Sequence, residues 1–293
     1  MMRTALPRRL FLALLFAAGA WVGVASEVPL DENLVALFAD LHVTADANNP
    51  HQRAGVAQSV RDVLACNPRP ANVLFFGDLS FSHGATNDYR LLKKLVKPLE
   101  DAGIRWSACL GNHDRRAAYL SVFPERTGEP PLGPERLVTV VKTPHADFIL
   151  LDSCLEGPVN GGIDEAQRAW LQATLSRYGK PVFVGAHHPI RETGVAGLMA
   201  SNAVCAAYIF GHNHVWKQQK EEGVETLCLP STGHWGDIGY VLVTLSGEGA
   251  VFTLHQRDYY APRPAAKPED INPAWLQRTR KNDGSQWRVP FKR

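Results

Sequence analysis

Short apolar runs, each ending in a cluster of polar residues, form the dominant pattern along this 293-residue chain. Five of these runs have the length and apolar character of a buried strand. These predicted strands are Val35–Ala39, Val73–Phe76, Trp106–Leu110, Val182–Ala186 and Ala206–Phe210. The pattern therefore predicts a core of strands whose ends all carry polar side chains.

Helical stretches alternate with these strands in the first two thirds of the chain. The predicted helices are Val56–Cys66, Asp88–Ala102, Ala117–Phe123 and Asp164–Tyr178. Three later strands have no long helix between them, and they are Val224–Leu229, Tyr240–Leu245 and Val251–Gln256. Alternating strands and helices are typical of an α/β fold, and the late strands predict a second sheet with antiparallel members. The chain is long enough for one sizeable core, and no linker divides it.

The polar clusters follow the predicted strands directly. They are Asp40-Leu41-His42, Gly77-Asp78, Gly111-Asn112-His113-Asp114, His187-His188-Pro189 and Gly211-His212-Asn213-His214. Open α/β sheets bind their ligands outside the carboxyl ends of the strands. One Asp-x-His run would carry little information, but five such sites in series are hard to explain as surface decoration. The sequence therefore predicts a ligand site at the carboxyl ends of the strands.

The residue types in these clusters indicate what that site binds. Aspartate, histidine and asparagine side chains suit Fe, Mn, Zn or Co, whereas an all-oxygen set would suit Mg or Ca. No cysteine stands in the clusters, which disfavours a structural thiolate site. Two divalent cations about 3.5–4 Å apart can clamp the attacking and leaving oxygens of a phosphoryl transfer. We therefore expect two divalent transition metal ions that share one anionic ligand.

The order of the clusters and their residue patterns resemble the motifs of the calcineurin-like metallophosphoesterase superfamily across roughly residues 35 to 255. Intervening runs resemble its class III cyclic-nucleotide phosphodiesterase branch, and they are Arg115–Tyr119, Leu151–Ser153, Gly161–Gly162 and Glu165–Leu171. The resemblance implies a four-layer αββα sandwich, in which two mixed β-sheets are flanked by helices. It also implies that the metal site lies at the carboxyl ends of the strands.

The resemblance further implies a metal-ligand role for seven side chains. They are Asp40, His42 and His214 for the first metal, Asn112, His187 and His212 for the second, and Asp78 bridging both. In the His-His-Pro run, the family pattern His-x-Pro favours His187 as the ligand. His188 remains the alternative, and we expect it to line the pocket or support a ligand.

Two residues beside Asn112 receive catalytic roles from the same resemblance. His113 would protonate the leaving oxygen or, alternatively, steady the phosphate group. Asp114 would orient the His113 ring, since a carboxylate on the far ring nitrogen fixes the tautomer. A hydroxide held by both metals would be the nucleophile, because a cation lowers the pKa of its bound water. His83 and His234 are expected to be ordinary loop residues, and a contact between His83 and the substrate is the alternative for His83.

Two departures from the patterns of other branches limit where this chain belongs within the superfamily. The purple acid phosphatases have an iron-ligating tyrosine three residues after the bridging aspartate, and this chain has Phe81 there. A phenyl ring cannot coordinate iron, so we expect no tyrosinate colour. The protein phosphatases extend their Gly-Asp run with Asp-Arg-Gly, whereas residues 79–82 here are Leu-Ser-Phe-Ser. Both branches are therefore disfavoured.

The two ends of the chain differ from the middle. Residues 1–26 predict a signal peptide, because Arg3, Arg8 and Arg9 precede a short apolar run and small residues. The adjacent arginines fit either a twin-arginine signal or an ordinary secretory signal. We assign residues 27–260 to the catalytic domain and residues 261–293 to a proline-punctuated, basic tail. In that tail, Trp275, Trp287 and Phe291 predict docking onto the domain.

The charge distribution bears on the partners. The formal charge is +2 for the whole chain and −1 without the first 26 residues, and the tail alone carries +5, which leaves about −6 on the body. An acidic body argues against a nucleic-acid surface, so no nucleic-acid partner is expected. The five cysteines leave room for one disulfide but demand none. The expected partner is a small-molecule phosphoester.

These observations predict an exported, periplasmic or extracellular, dinuclear phosphodiesterase, with cyclic nucleotides among its candidate substrates. No stable membrane anchor is expected once the signal is cleaved. A phosphomonoesterase on the same scaffold is the main alternative, because the metal ligands do not choose between monoesters and diesters. A catalytically silent phosphate- or nucleotide-binding protein is an alternative of another class. The substrate, the native metals and the oligomeric state stay open at this point.

Overall fold

The computed structural model describes residues 28–48, 50–257 and 282–292. Twelve strands and six helices form within them. The strands are β1 (Leu30–Ala39), β2 (Arg69–Phe76), β3 (Arg105–Cys109), β4 (Thr139–Val141), β5 (Asp147–Leu150), β6 (Val182–Gly185), β7 (Cys205–Phe210), β8 (Lys217–Glu221), β9 (Val224–Cys228), β10 (Gly239–Ser246), β11 (Gly249–Gln256) and β12 (Gln286–Pro290). The helices are α1 (Pro50–Ala65), α2 (Thr86–Asp101), α3 (Arg116–Val122), α4 (Glu165–Leu175), α5 (Ile190–Thr193) and α6 (Ala196–Ala200).

The strands form two six-stranded mixed sheets. The first has the order β12-β11-β10-β1-β2-β3, and the second has the order β4-β5-β6-β7-β9-β8. In the first sheet, β1, β2 and β3 are parallel, while β10, β11 and β12 pair antiparallel. In the second sheet, β5, β6, β7 and β9 are parallel. The parallel strands of each sheet therefore bring their carboxyl ends to one edge.

Alternation along β1 explains how the sheets are layered. Val35, Leu37 and Ala39 point into a core between the two sheets, while Ala36 and Phe38 point into a core beneath α1, α2 and α3. This is the period of two that a strand imposes on its side chains. A third core lies between the second sheet and helices α4, α5 and α6. Three cores separate four layers, so the expected αββα sandwich of two mixed sheets is confirmed.

The helices that cover the sheets follow ordinary amphipathic rules. In α2, Tyr89, Leu92, Val96 and Leu99 are buried at spacings of three or four residues, which places them on one face. Helix α4 begins after Asp164, whose carboxylate accepts a hydrogen bond from the backbone N–H of Gln167. These local signals explain why the longer helices could be predicted from sequence.

One part of the predicted topology is wrong. The late strands were expected to form a second sheet together, but β9 joins the second sheet while β10 and β11 join the first. Strand β10 pairs antiparallel with β1, from Leu34 opposite Thr244 to Leu37 opposite Val241. The edge of β1 that faces away from β2 accepts β10, because both strands bury alternate apolar side chains in the core between the sheets.

The boundary drawn at residue 260 does not separate a tail from the fold. Residues 286–290 form β12, which pairs antiparallel with β11. Trp287 and Phe291 pack against the core between the sheets, so their expected docking is confirmed. Trp275 and the short helix predicted near Pro273–Arg280 lie outside the described residues.

The predicted signal, residues 1–26, lies outside the described residues. Across the part of the chain that is described, no helix has the length and apolar character needed to cross a membrane. All five cysteines are free thiols, and Cys109, Cys154 and Cys228 are buried.

Candidate metal centre

The carboxyl ends of β1, β2 and β3 in the first sheet meet those of β6 and β7 in the second. Backbone hydrogen bonds join the loops there: Asp40 N–H donates to Gly77 C=O over 3.2 Å, and Gly211 N–H donates to His187 C=O over 3.0 Å. Between the sheets, His212 N–H donates to Asp40 Oδ1 over 3.0 Å. The predicted ligands of both sheets therefore lie in one cluster.

Backbone strain is concentrated in this cluster. Seven non-glycine residues of the described chain have a positive φ, and five of them are predicted ligands. These five are Asp40 (51°), His42 (45°), Asp78 (47°), His212 (65°) and His214 (54°). Such left-handed conformations cost of order 1–3 kcal/mol each, and they persist where the surrounding structure enforces them, often at functional sites.

Two glycines allow the loops to approach this closely. A Cβ on Gly111 would overlap the carboxylate of Asp78, and a Cβ on Gly211 would lie 2.7 Å from Asp40 Oδ2. Neither contact is sterically acceptable, so only glycine fits at both positions. The glycines of the Gly-Asn-His-Asp and Gly-His-Asn-His runs therefore serve packing, while their neighbours supply the polar groups.

The first trio of predicted ligands consists of Asp40, His42 and His214. His42 Nδ1 lies 3.2 Å from the Phe81 carbonyl, and His214 Nδ1 lies 2.9 Å from the Trp235 carbonyl. A carbonyl only accepts, so each Nδ1 carries the proton and each neutral ring presents a lone pair at Nε2. These two Nε2 atoms lie 3.3 Å apart, and His214 Nε2 is 3.2 Å from Asp40 Oδ1.

The second trio consists of Asn112, His187 and His212. His187 Nδ1 donates to the Phe76 carbonyl over 2.9 Å, so its Nε2 presents a lone pair. That Nε2 lies 3.2 Å from Asn112 Oδ1 and 3.3 Å from His212 Nδ1. His212 Nδ1 is also 3.1 Å from Asn112 Oδ1. Three potential acceptors therefore converge here as they do in the first trio.

Asp78 lies between the two trios. Its Oδ2 is 3.6 Å from His42 Nε2 in the first trio and 3.3 Å from His187 Nε2 in the second. Its Oδ1 accepts a hydrogen bond from His113 N–H over 2.9 Å, which fixes the carboxylate. One buried carboxylate thus reaches imidazoles of both trios, as a bridging ligand must.

This donor set fits divalent cations. Facing lone pairs and carboxylate oxygens repel one another unless a positive charge lies between them, and buried acceptors without donors are rare. Two nitrogens bound to one metal at about 2.0–2.1 Å lie roughly 3.0–3.4 Å apart, which matches the spacing within each trio. Four overlapping groups of His and Asp side chains bring their ligand atoms within 4.8 Å of one another. Nitrogen and oxygen donors without sulfur suit Fe, Mn, Zn or Co.

Electrostatics inside the cluster follow from burial and these close contacts. Burial lowers the pKa of His42 to about 4, and burial and His187 lower that of His212. Burial also opposes a charge on His187, but Asp78 outweighs it and raises the pKa of that imidazole to about 9. Without a metal, Nε2 of His187 therefore carries a proton toward Asp78, and a cation that binds there displaces this proton and takes the lone pair. Burial opposes ionisation of Asp78, yet the neighbouring imidazoles, His187 first, hold its pKa well below the usual range. The carboxylates thus stay negative and attract a cation.

His188 has a different role from its neighbour His187. Its Nε2 donates to the Val159 carbonyl over 3.0 Å, and its Nδ1 accepts from Ser153 Oγ over 2.8 Å. Both ring nitrogens therefore have hydrogen-bond partners, although the ring lies within 4.8 Å of the ligand atoms of His187 and His212. Burial, with the charge of His187, lowers the pKa of His188 to about 2. The geometry favours a supporting role for His188.

The expected role of Asp114 is wrong. Its buried carboxylate accepts four hydrogen bonds of 2.9–3.1 Å. The donors are the backbone N–H groups of Leu79, Ser80 and Gly111 and the hydroxyl of Tyr89. No residue of the described chain hydrogen-bonds to His113 Nδ1, so Asp114 does not orient that ring. Asp114 instead ties the loop after β2 to the loop after β3.

His113 lies at the open edge of the cluster. Its side chain is 34% exposed, and its Nε2 is 3.9 Å from Asp78 Oδ2. Its ring centroid is 4.9 Å from that of His42. The structure therefore leaves this imidazole beside the ligands and open to solvent, where a bound substrate can reach it.

His234 was expected to be an ordinary loop residue, but its ring lies beside the cluster. The ring centroids of His234 and His42 are 4.4 Å apart, and Phe81 packs edge-on against His234 at 5.4 Å. Ser231 and Thr232 place this loop by donating to the carbonyls of Asp40 and Ala39. The Gly233-His234 pair after β9 has the same pattern as the other clusters, a glycine followed by a polar residue. That pattern could have identified His234 as a candidate site residue. His83 is exposed, as expected for a loop residue.

Curated relatives were found by sequence. The probable glycerophosphodiester phosphodiesterase GpdQ of Arcobacter nitrofigilis is 25% identical over 58% of this chain and 62% of its own length. The probable cyclic nucleotide phosphodiesterase of Psychrobacter arcticus is 27% identical over 46% and 54%. The 3',5'-cyclic adenosine monophosphate phosphodiesterase CpdA of Pseudomonas aeruginosa is 26% identical over 68% and 76%. The chain spans less than two thirds of the first two relatives.

Solved structures share the architecture. PhoD superposes with a TM-score of 0.58 at 12% identity, covering 80% of this chain and 67% of PhoD. The purple acid phosphatase PPD1 of yellow lupin superposes with a TM-score of 0.56 at 13% identity, covering 76% and 51%. At such identities these matches show the fold alone.

The family itself is established by a sequence model. The model of the calcineurin-like phosphoesterase family matches residues 34–216, which is more than half of the chain and contains every predicted metal ligand. The curated relatives are consistent with the class III branch of that family. The chain therefore belongs to the calcineurin-like phosphoesterase family.

Proposed function

We propose that this chain is an exported phosphodiesterase with a dinuclear metal centre. The observation that carries the proposal is the pair of convergent trios with the Asp78 carboxylate between them. Each trio brings acceptor atoms together at 3.1–3.3 Å, and Asp78 Oδ2 lies within 3.6 Å of an imidazole from each. One cation alone would leave the acceptors of the other trio facing one another.

Each trio supplies the proposed ligands of one cation. Asp40, His42 and His214 would hold one cation, Asn112, His187 and His212 would hold the other, and Asp78 would offer its carboxylate to both. When bound, the metals lower the pKa of a water molecule towards neutrality and offset the charge of the phosphate. The carbonyls of Phe81, Trp235 and Phe76 hold the rings in the tautomer that offers Nε2.

His113 acts on the substrate and not on the metals. Its exposed imidazole lies at the edge of the cluster, where it can donate a proton or a hydrogen bond to an oxygen of the phosphoester. Protonation of the leaving oxygen helps most when the leaving group is a poor one, such as an alkoxide. The backbone N–H of His113 also donates a hydrogen bond to Asp78 Oδ1, so the same residue holds the proposed bridging carboxylate in place.

The names of the curated relatives favour diesters over monoesters as substrates. The first curated relatives are named as phosphodiesterases, acting on glycerophosphodiesters or on cyclic nucleotides. Phe81 also stands where the purple acid phosphatases, a monoesterase branch, have tyrosine. A direct test compares bis(4-nitrophenyl) phosphate, 4-nitrophenyl phosphate, cyclic AMP and glycerophosphocholine, with metal-loaded and chelator-treated protein.

We expect metal-dependent turnover with higher kcat/KM on at least one diester than on the monoester. Higher kcat/KM on 4-nitrophenyl phosphate than on every diester would overturn the diesterase assignment. Elemental analysis of the loaded protein should find two transition metal ions per chain, and a single ion would contradict the dinuclear centre.

Export is the remaining part of the proposal and rests on residues 1–26. Their arginines, short apolar run and small residues support a cleaved signal. We expect the mature protein to begin near Ser26 or Glu27 and to work in the periplasm or outside the cell. N-terminal sequencing of protein from the native host tests this, and an intact N-terminus on cytoplasmic protein would refute it.

A further inference from the structure

Exposed apolar side chains are concentrated around the metal cluster. Among the residues that the structure describes, the large hydrophobic side chains left exposed are Leu30 (38%), Leu155 (51%), Val159 (64%) and Trp235 (51%). Scattered exposed apolar residues need no explanation. Trp235, however, contacts the predicted ligand His214, and Leu155 and Val159 stand in the loop that hydrogen-bonds to His188, whose ring packs against that of His212. Only Leu30 lies at the opposite end of β1. Apolar surface gathered beside a polar site is typical of a ligand pocket.

Trp235 is fixed beside the first trio. Its ring centroid is 4.5 Å from that of His214, with the planes tilted by 43°. Its carbonyl accepts the hydrogen bond from His214 Nδ1 over 2.9 Å. The next residue, Gly236, has a φ of 97°, and a Cβ there would lie 2.5 Å from the Cβ of His214. The loop is thus held against His214 while half of the indole ring stays open to solvent.

Val159 and Leu155 are fixed beside the second trio. The Val159 carbonyl accepts from His188 Nε2 over 3.0 Å, and the His188 ring centroid is 4.9 Å from that of His212. Leu155 lies next to Gly162, where a Cβ would approach Leu155 Cδ2 to 3.3 Å. Residues 155–162 therefore form a loop anchored through His188, with two apolar side chains facing outward.

We propose that Trp235 and the loop of Leu155 and Val159 are two recognition walls for the organic substituents of the substrate. This inference rests on the proposed function, because a diester whose phosphate sits between the trios carries one substituent on each side. Trp235 stacks on a planar group, since an indole ring offers a flat apolar face. The second wall packs against the other substituent. The walls select diesters with planar, apolar substituents over diesters with glyceryl substituents.

The test compares Trp235→Ala, Trp235→Phe and Val159→Ser with the control Leu30→Ala, which removes an exposed apolar side chain far from the cluster. For Trp235→Ala, we expect the KM for bis(4-nitrophenyl) phosphate to rise by roughly 3- to 30-fold, as loss of an aromatic stack predicts. The KM for glycerophosphocholine should rise much less. Trp235→Phe should retain most of the wild-type KM, and Leu30→Ala should match wild type on both substrates.

Equilibrium binding gives a readout that is independent of turnover. Calorimetric titration with phenylphosphonate and with methylphosphonate measures affinity for the same anionic group with and without a planar substituent. Trp235→Ala should weaken binding of phenylphosphonate by a similar factor and leave methylphosphonate nearly unchanged. Metal content is measured in each sample, since Trp235 contacts a predicted ligand. If Trp235→Ala loses metal, Val159→Ser decides the question: a raised KM for bis(4-nitrophenyl) phosphate at full metal content supports the walls, and an unchanged KM overturns them.

The outcomes separate this inference from the proposed function. Equal KM values for all variants on both substrates would overturn the walls, and so would an equal rise on the aryl and the glyceryl diester. Diester hydrolysis that is independent of Trp235 and Val159 would leave the proposed function standing alone. No hydrolysis of any phosphoester, with phenylphosphonate binding that still depends on Trp235, would refute the proposed function and leave the walls in place.

Discussion

Asp78 and Asp114 are both buried aspartates in loops at the carboxyl edge of the first sheet, yet their surroundings are opposite. The oxygens of Asp114 accept from four donors at 2.9–3.1 Å. Asp78 Oδ2 instead faces the Nε2 atoms of His187 and His42 at 3.3 and 3.6 Å. A carboxylate surrounded by donors has its hydrogen-bond acceptors satisfied. A carboxylate surrounded by other acceptors requires a cation, and this contrast distinguishes a ligand from a structural aspartate.

His187 and His188 repeat the contrast at adjacent positions. His188 has a partner for each ring nitrogen, Ser153 and Val159, and its pKa is lowered to about 2 by burial and by His187. His187 uses only Nδ1 on a carbonyl and turns Nε2 to Asn112 and Asp78. Burial is nearly the same for both residues, so partner chemistry and not depth separates ligand from support.

Replacing the Asp78 carboxylate by an amide should have the largest effect on the site. Asp78→Asn removes the negative charge between the trios, so both metals should bind more weakly. We expect turnover to fall by at least about 10²-fold, because losing even an outer partner of a metal ligand costs about 10- to 100-fold. Elemental analysis and rate measurements on the same samples check this. Two tightly retained transition metals in Asp78→Asn would refute the bridging role.

His113→Ala separates metal binding from proton donation. The side chain is not among the predicted ligands, so both metals should remain bound. General acid catalysis contributes about 10²- to 10⁴-fold, and we expect a loss of that size with an alkoxide leaving group. With a nitrophenolate leaving group the loss should be smaller, because that oxygen needs little protonation. Equal losses would indicate that His113 only orients the phosphate, and near-wild-type rates on both substrates would exclude it from catalysis.

Gly111→Ala tests the packing beneath the bridge. The added Cβ would overlap the Asp78 carboxylate and approach Asp78 N to 2.5 Å. We expect a stability loss of about 1–3 kcal/mol, as for overpacked cores, together with weaker metal binding. Gly197→Ala is the matched control, because nothing lies within 4 Å of a Cβ there and the residue is in helix α6. Chemical denaturation of both variants, with and without metal, measures the difference. Wild-type stability in Gly111→Ala would show that the Asp78 carboxylate tolerates displacement.

Asp114→Asn should have the smallest effect on turnover, although its carboxylate is buried near the same loops. The amide presents an NH₂ group to donors that need an acceptor, which leaves at least one buried donor unsatisfied. We expect the free energy of unfolding to fall by about 1–3 kcal/mol. Both metals should stay bound, because the four groups that donate hydrogen bonds to the Asp114 carboxylate belong to Leu79, Ser80, Tyr89 and Gly111, and none of these is a predicted ligand. Loss of metal at unchanged stability would make Asp114 part of the cluster and would weaken the contrast with Asp78.

The ligands could be predicted from sequence because each stands within a few residues of a strand end. The apolar run and the glycine before Asp78, Asn112 or His212 are local signals. The role of Asp114 could not be predicted, because Tyr89 and the amide groups of Leu79 and Ser80 reach it from distant parts of the chain. His234 was missed although its Gly-His pair gave a local signal, because its contacts with His42 and Phe81 join distant parts of the chain.

The strands show the same limit. Their positions were predictable because apolar runs are local, and β1, β2, β3, β6 and β7 were each expected. The sheet to which a late strand belongs was not predictable, because β9 and β10 each present an apolar run that would suit either sheet. Short strands with polar or mixed sequences, such as β8 (Lys217–Glu221), give no strong pattern at all.

The order of strands in the first sheet has a consequence for the timing of synthesis. Strand β1, which carries Asp40 and His42 at its end, lies between β2 and β10, and β10 begins only at residue 239. During translation, β1 therefore keeps one unpaired edge until the residues from Gly239 onward have been made. Unpaired edges are exposed to aggregation, and pairings between distant segments form slowly. The strand that carries the first two predicted ligands is thus the one whose pairing waits longest within its sheet.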